Sequence, residues 1–168
     1  PYFGYMADGA EAAEDQRDYC IGQLKELIAF IEDLSGNPMD EERFRETFQW
    51  AAQTYALWRE ISDLRKAVPC PMGAVEEFGS LYHLLQLVGT REAVGFYQML
   101  LAEVRQRVKE KKGILSVEEK HRLLWVGPVP YYDSGMLNYV EEFGALVVKA
   151  DAGSAYEIPF DPDRPLES

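Results

Sequence analysis

The chain has little cysteine and little positive charge. Only Cys20 and Cys70 occur among 168 residues, far apart in sequence. Two distant thiols form no disulfide framework and fit a reducing compartment, so a cytoplasmic location is expected. Lys and Arg total 17 against 29 Asp and Glu, a net charge of −12. A field of that sign repels phosphate backbones, which argues against nucleic acid as a partner. It also opposes a CoA-like anion, unless a local site overrides the global charge. No apolar run reaches the ~18 residues needed to cross a bilayer. Pro1 to Ala10 lacks the basic stretch and apolar core of a signal peptide. The phosphate-binding GxxxxGK, the dinucleotide GxGxxG and the nucleophile-elbow GxSxG are missing too. The motif-based cases for those three chemistries go with them.

The residues that are present describe an ordinary globular chain, 47% hydrophobic and 27% charged. Cys20, Leu24, Leu27, Ile28, Ile31 and Leu34 recur at helical spacing and predict a helix from about Glu14 to Leu34, closed by Gly36. Asp40 is a good N-cap for a second helix, favoured by Glu41 and Glu42. Its stripe is Phe44, Phe48, Ala51, Tyr55, Trp58 and Ile61, and it stops before Pro69 and Pro71. A third helix spans about Ala74 to Leu87 and ends at Gly89. Thr90 caps a fourth with the stripe Val94, Tyr97, Leu101, Val104 and Val108, followed by Lys109, Lys111, Lys112 and Gly113. Four helices with short joints suggest a bundle or arm over residues 1–115.

The pattern then changes. Ser116-Val117-Glu118-Glu119 resembles a capping box for one short turn. Leu123 to Val126 and Ala145 to Val148 read as strands covered on both faces. Between them Ser134 caps a helix carrying Met136, Leu137, Val140 and Phe143, ended by Gly144. Strand, helix, strand predicts a parallel βαβ unit over residues 116–168. Two strands make a small sheet beside the usual about 4–6. The fold class expected is therefore α/β: a helical block, then the start of an incomplete parallel-sheet lobe of flavodoxin or Rossmann type. Both ends read as cut, since Pro165 announces a helix that has no continuation.

Few residues offer chemistry. Cys20 is expected to be a small buried hydrophobe. Cys70, between two prolines, is the weak candidate for a metal ligand, but one thiolate does not hold an iron–sulfur cluster. His83 and His121 have no partner at metal-ligand spacing and read as structural or surface residues. The adjacent pairs Glu41/Glu42, Glu76/Glu77 and Glu141/Glu142 read as solvated faces. The informative stretch is Val126 to Asp133. It leaves the C-terminal end of a parallel strand, where open α/β sheets place ligands. Gly127 permits close approach to the backbone, Pro128 stiffens the turn, Tyr131 and Tyr132 suit an acyl pocket, and the helix start at Ser134 offers free amides. A stiff βα turn with tyrosines packed on a neighbouring domain explains the same residues.

Several segments, taken in order, resemble the 2-hydroxyacyl-CoA dehydratase/benzoyl-CoA reductase family. They are Gln23 to Glu32, Ser35-Gly36, Met39 to Glu42, Arg59 to Arg65, Pro69-Cys70-Pro71, Arg122 to Pro128, Glu141 to Val148 and Pro165 to Ser168. The resemblance implies a subunit of two α/β lobes with helical connections, paired with a homologous subunit. It implies a [4Fe–4S] cluster whose cysteine ligands come from the lobes, none of them in this chain, and a separate ATP-hydrolysing iron–sulfur activator. It implies radical dehydration of an acyl-CoA, or reduction of an aromatic acyl-CoA, in the complete protein, with the fragment alone inactive. Two alternatives stay open: a double-cubane-cluster reductase of the same family, and a noncatalytic helical interaction module.

Overall fold

A computed structural model of the chain describes residues 10–128, 132–133, 135–154 and 156–157. The chain divides into two compact units between Phe44 and Arg45. The first contains helix α1 (Ala10–Ser35) and the opening of α2 (Glu41–Leu64). Helix α1 ends as its sequence suggests, with Gly36 at φ 69° and its amide bonded to the Glu32 carbonyl at 2.8 Å. Its expected apolar stripe is not buried: Leu24, Leu27, Ile31 and Leu34 are all exposed, and so is Cys20. The burial expected of Cys20 is thus corrected, because helical spacing encodes a face without supplying what covers it.

The caps of the next helices are legible in the sequence. Asp40 accepts the Arg43 amide at 3.0 Å at the head of α2. Thr90 accepts the Ala93 amide at 3.2 Å at the head of α4 (Arg91–Lys109). Between them α3 (Ala74–Gln86) begins at Gly73, whose amide donates to the Glu76 carboxylate at 3.1 Å. The core of the second unit is built from their facing stripes. Trp58 and Ile61 of α2 meet Leu81 and Leu84 of α3 and Tyr97, Leu101 and Val104 of α4, with Met72 from the joint. Trp58 and Tyr97 pack edge to face at 5.9 Å, and the Tyr97 hydroxyl donates to the Ser80 carbonyl. Val108, at the end of the α4 stripe, is half-buried. The left-handed residue after α4 is Lys111 at φ 52°. Gly113 instead lies against Pro69, where an added Cβ would stand 2.6 Å away.

No helix forms at Ser116–Glu119. The Glu119 carboxylate does not fold back on Ser116; it takes the Cys70 amide at 2.7 Å and pairs with Arg122. Strands β1 (His121–Trp125) and β2 (Ala145–Ala150) then pair in parallel, as the apolar runs and the helical stretch between them predict. The expected crossover helix divides into α5 (Gly135–Tyr139) and a single 3-10 turn (Val140–Phe143). Leu137 is buried there with Val147 and Ala74, while Met136 and Phe143 are exposed. Gly144 ends the segment at φ 77°. The two strands differ in cover. Leu146 and Val147 of β2 are buried, whereas Leu123 and Leu124 of β1 are exposed, against the expectation that both strands are covered. Among the described residues nothing pairs with the outer edge of either strand, and the exposed Leu123 and Leu124 are without the layer that the apolar run of β1 anticipates. A short helix, α6 (Asp151–Ser154), follows β2 at once.

Candidate functional site

The turn after β1 occupies the C-terminal edge of the two-stranded sheet. Gly127 stands at φ 113°, a conformation that disfavours any side chain. An added Cβ there would meet nothing within 4 Å, so the backbone angle, not crowding, calls for glycine. The Gly127 amide donates to the Asp151 carboxylate at 3.0 Å. The Trp125 indole N–H donates to the Pro128 carbonyl at 3.2 Å. Pro128 is exposed, and Tyr132 stands in solvent at 88% exposure. Tyr131 and Ser134 lie outside the described residues. The cap expected from Ser134 has a described counterpart one residue earlier. Asp133 accepts the Gly135 amide at 3.0 Å through its carboxylate, and its carbonyl takes the Met136 amide. Helix α5 is five residues long, which makes its macrodipole a minor attraction for an anion.

Cys70 is fully buried. Its thiol lies 3.3 Å from the Arg65 and Met72 carbonyls and donates to them. Burial pushes the thiol above its ordinary pKa, an effect that the Met72 contact and the nearby Arg65 offset only in part. A neutral thiol already engaged in this way is not a waiting ligand. Among the described residues no three His, Cys, Asp or Glu side chains come together around a point that could hold a metal. The two histidines are apart. His83 stacks on Phe96 at 3.7 Å, and exposed His121 opens β1. The residues described therefore do not fit a cluster.

One pair escaped the sequence reading. Glu77, taken there as part of a solvated face, is fully buried and pairs with Arg65 at 2.7 Å, each side chain about 1% exposed. Arg65 further donates to the Met72 and Val147 carbonyls, both at 3.1 Å. Burial raises the Glu77 pKa, and the Arg65 guanidinium pulls it part of the way back. A signal was available, since Ala74, Glu77, Leu81 and Leu84 fall on one helical face, and a glutamate in the middle of such a stripe needs a buried cation. Lys149, Ser62 and Glu157 form a second, half-buried cluster. Ser62 donates to Glu157 at 2.6 Å, and Lys149 donates to Ser62 at 3.0 Å while pairing with Glu157. Lys149 and Ser62 are both tied to the Glu157 carboxylate, so this Ser–Lys pair reads as structural.

Away from the turn, Glu76, Glu103, Arg107, Lys112, Gly113 and Ile114 line an open polar hollow of about 310 Å³. Its Arg107 is spent on Glu76 at 3.0 Å, Glu103 at 2.5 Å and the Pro71 carbonyl at 2.8 Å. The turn thus remains the best candidate: a glycine-dependent loop at a sheet edge, rimmed by exposed aromatic and proline surface.

Known proteins share this sequence over most of its length. The family described as 2-hydroxyglutaryl-CoA dehydratase, D-component, matches residues 4–168. The chain is 32% identical to a benzoyl-CoA reductase component from Thauera aromatica, over 96% of this chain and 40% of that protein. It is 25% identical to the (R)-phenyllactyl-CoA dehydratase alpha subunit of Clostridium sporogenes, over 89% of this chain and 37% of that one. It is 28% identical to the alpha subunit of (R)-2-hydroxyglutaryl-CoA dehydratase of Acidaminococcus fermentans, over 65% and 23% respectively. The chain therefore spans about two fifths or less of the length of these relatives.

Proposed function

The chain belongs to the 2-hydroxyglutaryl-CoA dehydratase D-component family, and from that premise we propose that it is the central part of a subunit for radical dehydration or reduction of an acyl-CoA. In this reading residues 1–115 are the helical connecting block. Residues 116–168 open the C-terminal α/β lobe, of flavodoxin or Rossmann type. The complete protein pairs with a homologous subunit, receives electrons from an ATP-dependent iron–sulfur activator and works in the cytoplasm. In this reading the ligands of its [4Fe–4S] cluster come from the lobes outside this chain; the two cysteines here stand in different settings, Cys20 exposed and Cys70 buried.

The observation that carries the site reading is the Gly127 turn at the C-terminal edge of parallel strands, where α/β sheets bind ligands. Gly127, Pro128, Tyr131, Tyr132 and Ser134 are the proposed substrate contacts. The electrostatics indicate which end of the substrate belongs there. Asp133 and Asp151 flank the turn, while Val126, Pro128 and Tyr132 are exposed. Carboxylates repel the CoA phosphates, and apolar and aromatic surface suits the acyl group. The turn accordingly takes the acyl end.

The test uses the full-length complex. Tyr131→Phe and Tyr132→Phe should each change acyl-CoA affinity or turnover by about threefold or more, the worth of one hydrogen bond. Tyr82→Phe on α3 is the control, because Tyr82 is exposed and far along the chain from the turn. Tyr97 would be a poor control, since its hydroxyl serves the buried Ser80 carbonyl. Unchanged kinetics in both turn variants would leave the turn a structural joint.

A further inference from the structure

We infer that Asp151 is a positioning residue, which holds Gly127 in its left-handed conformation and so sets the turn that contacts the acyl group. The second half of this statement rests on the reading of the turn given above. The first half rests on register and anchoring.

Strands β1 and β2 pair His121 with Ala145, Arg122 with Leu146 and Leu123 with Val147; a bulge then passes over Val148, so that Leu124 faces Lys149 and Trp125 faces Ala150. Without the bulge Trp125 would face Lys149, and Asp151 would stand level with Gly127 itself. The bulge sets Asp151 level with Val126, one residue before Gly127, and from there its carboxylate reaches forward to the Gly127 amide at 3.0 Å. Bulges commonly re-aim a side chain next to a site in this way.

The backbone that carries Asp151 is held from the helical side. Ala150 is fully buried. Arg65, paired with Glu77, donates to the Val147 carbonyl. Trp58 donates from its indole to the Gly153 carbonyl at 3.1 Å. Gly153 fits closely, since a Cβ there would come within 2.8 Å of the Glu77 Oε1. Asp151 therefore projects from a clamped corner, while its own side chain is exposed and makes the single described bond across to β1's turn. The Gly127 conformation has no steric partner of its own, with nothing within 4 Å of its missing Cβ. The carboxylate bond and the Trp125–Pro128 bond are what the described residues offer to hold it.

The experiment compares Asp151→Ala and Asp151→Asn with the unaltered full-length complex. Peptide-resolved hydrogen–deuterium exchange reads the turn directly. Benzoyl-CoA and (R)-2-hydroxyglutaryl-CoA serve as binding probes. Asp151→Ala removes the acceptor and should speed exchange of the Gly127 amide by about three- to tenfold, with peptides from β2 unchanged as the control for folding. Asp151→Asn keeps an amide oxygen as acceptor and should restore protection to within about twofold, which the loss of a mere charge would not do. The better-binding probe should lose affinity in Asp151→Ala and recover it in Asp151→Asn. Unchanged exchange at Gly127 in Asp151→Ala overturns the positioning role, whatever the probes do. Faster exchange with unaltered probe affinity, or with no probe binding to the unaltered complex, upholds Asp151 as the holder of the turn and overturns the acyl-CoA reading of it.

Discussion

Arg65 and Glu77 show what a single residue can conceal in a sequence. Each looks like ordinary surface charge beside other charges, yet both are buried and joined at 2.7 Å. Removing one partner strands the other in low dielectric, so Glu77→Ala should cost about 3–5 kcal/mol by denaturant unfolding of the full-length protein. A loss under about 1 kcal/mol would mean that water reaches the pair. The pH dependence has a definite sign. Burial raises the folded Glu77 pKa above its usual 4.5, so the folded chain holds this proton more firmly than the unfolded chain. The stability from that titration is fully present below pH 4.5 and is lost as pH rises through the folded value. Glu77→Gln cannot titrate and should flatten that part of the stability–pH curve; an unaltered slope would assign it to other groups. Cys20 errs in the opposite direction. Its place on an apolar stripe indicated burial, and it is exposed.

At the scale of elements the punctuation is the most legible part. Asp40, Thr90 and Gly36 act where their chemistry suggests, because caps are local and need only the next few residues. The parallel pairing of β1 and β2 was readable for a related reason: a strand, a helical stretch and a strand leave few ways to connect. Three things were not readable. The bulge at Leu123/Leu124 depends on cross-strand fit. The Ser116 box fails because Glu119 has a stronger partner across the chain in the Cys70 amide. The exposure of β1 depends on a layer that the described residues do not include. Gly144 offers a test of the joint between α5 and β2. It combines φ 77° with a missing Cβ that would lie 2.5 Å from the Glu118 carbonyl oxygen. Gly144→Ala meets both the backbone penalty and a backbone clash, and should destabilise the full-length protein by about 1–3 kcal/mol. Thermal unfolding unchanged within error would show that the Lys120–Gly144 corner can move aside.

For the molecule as a whole, the two cysteines bear on where redox chemistry can reside. Cys20 is exposed on α1, and Cys70 is sealed between α2 and α3 with its thiol donating to two carbonyls. Metal ligation would need the Cys70 thiolate, yet burial raises the thiol pKa and the carbonyl oxygens at 3.3 Å repel the anion. It would also need the Pro69–Met72 joint to open, although Glu119 holds the Cys70 amide and Arg107 the Pro71 carbonyl. A serine hydroxyl is smaller than a thiol but keeps the donor. Cys70→Ser in the full-length protein, purified without oxygen, should therefore keep the iron and sulfide content of the unaltered protein. Its stability should fall by about 1 kcal/mol for the lost volume. Iron and sulfide analysis beside circular dichroism decides the matter. Loss of iron in a variant that keeps its helical signal would make Cys70 a ligand and would move the redox centre into the helical block, against the placement of cluster ligands outside this chain.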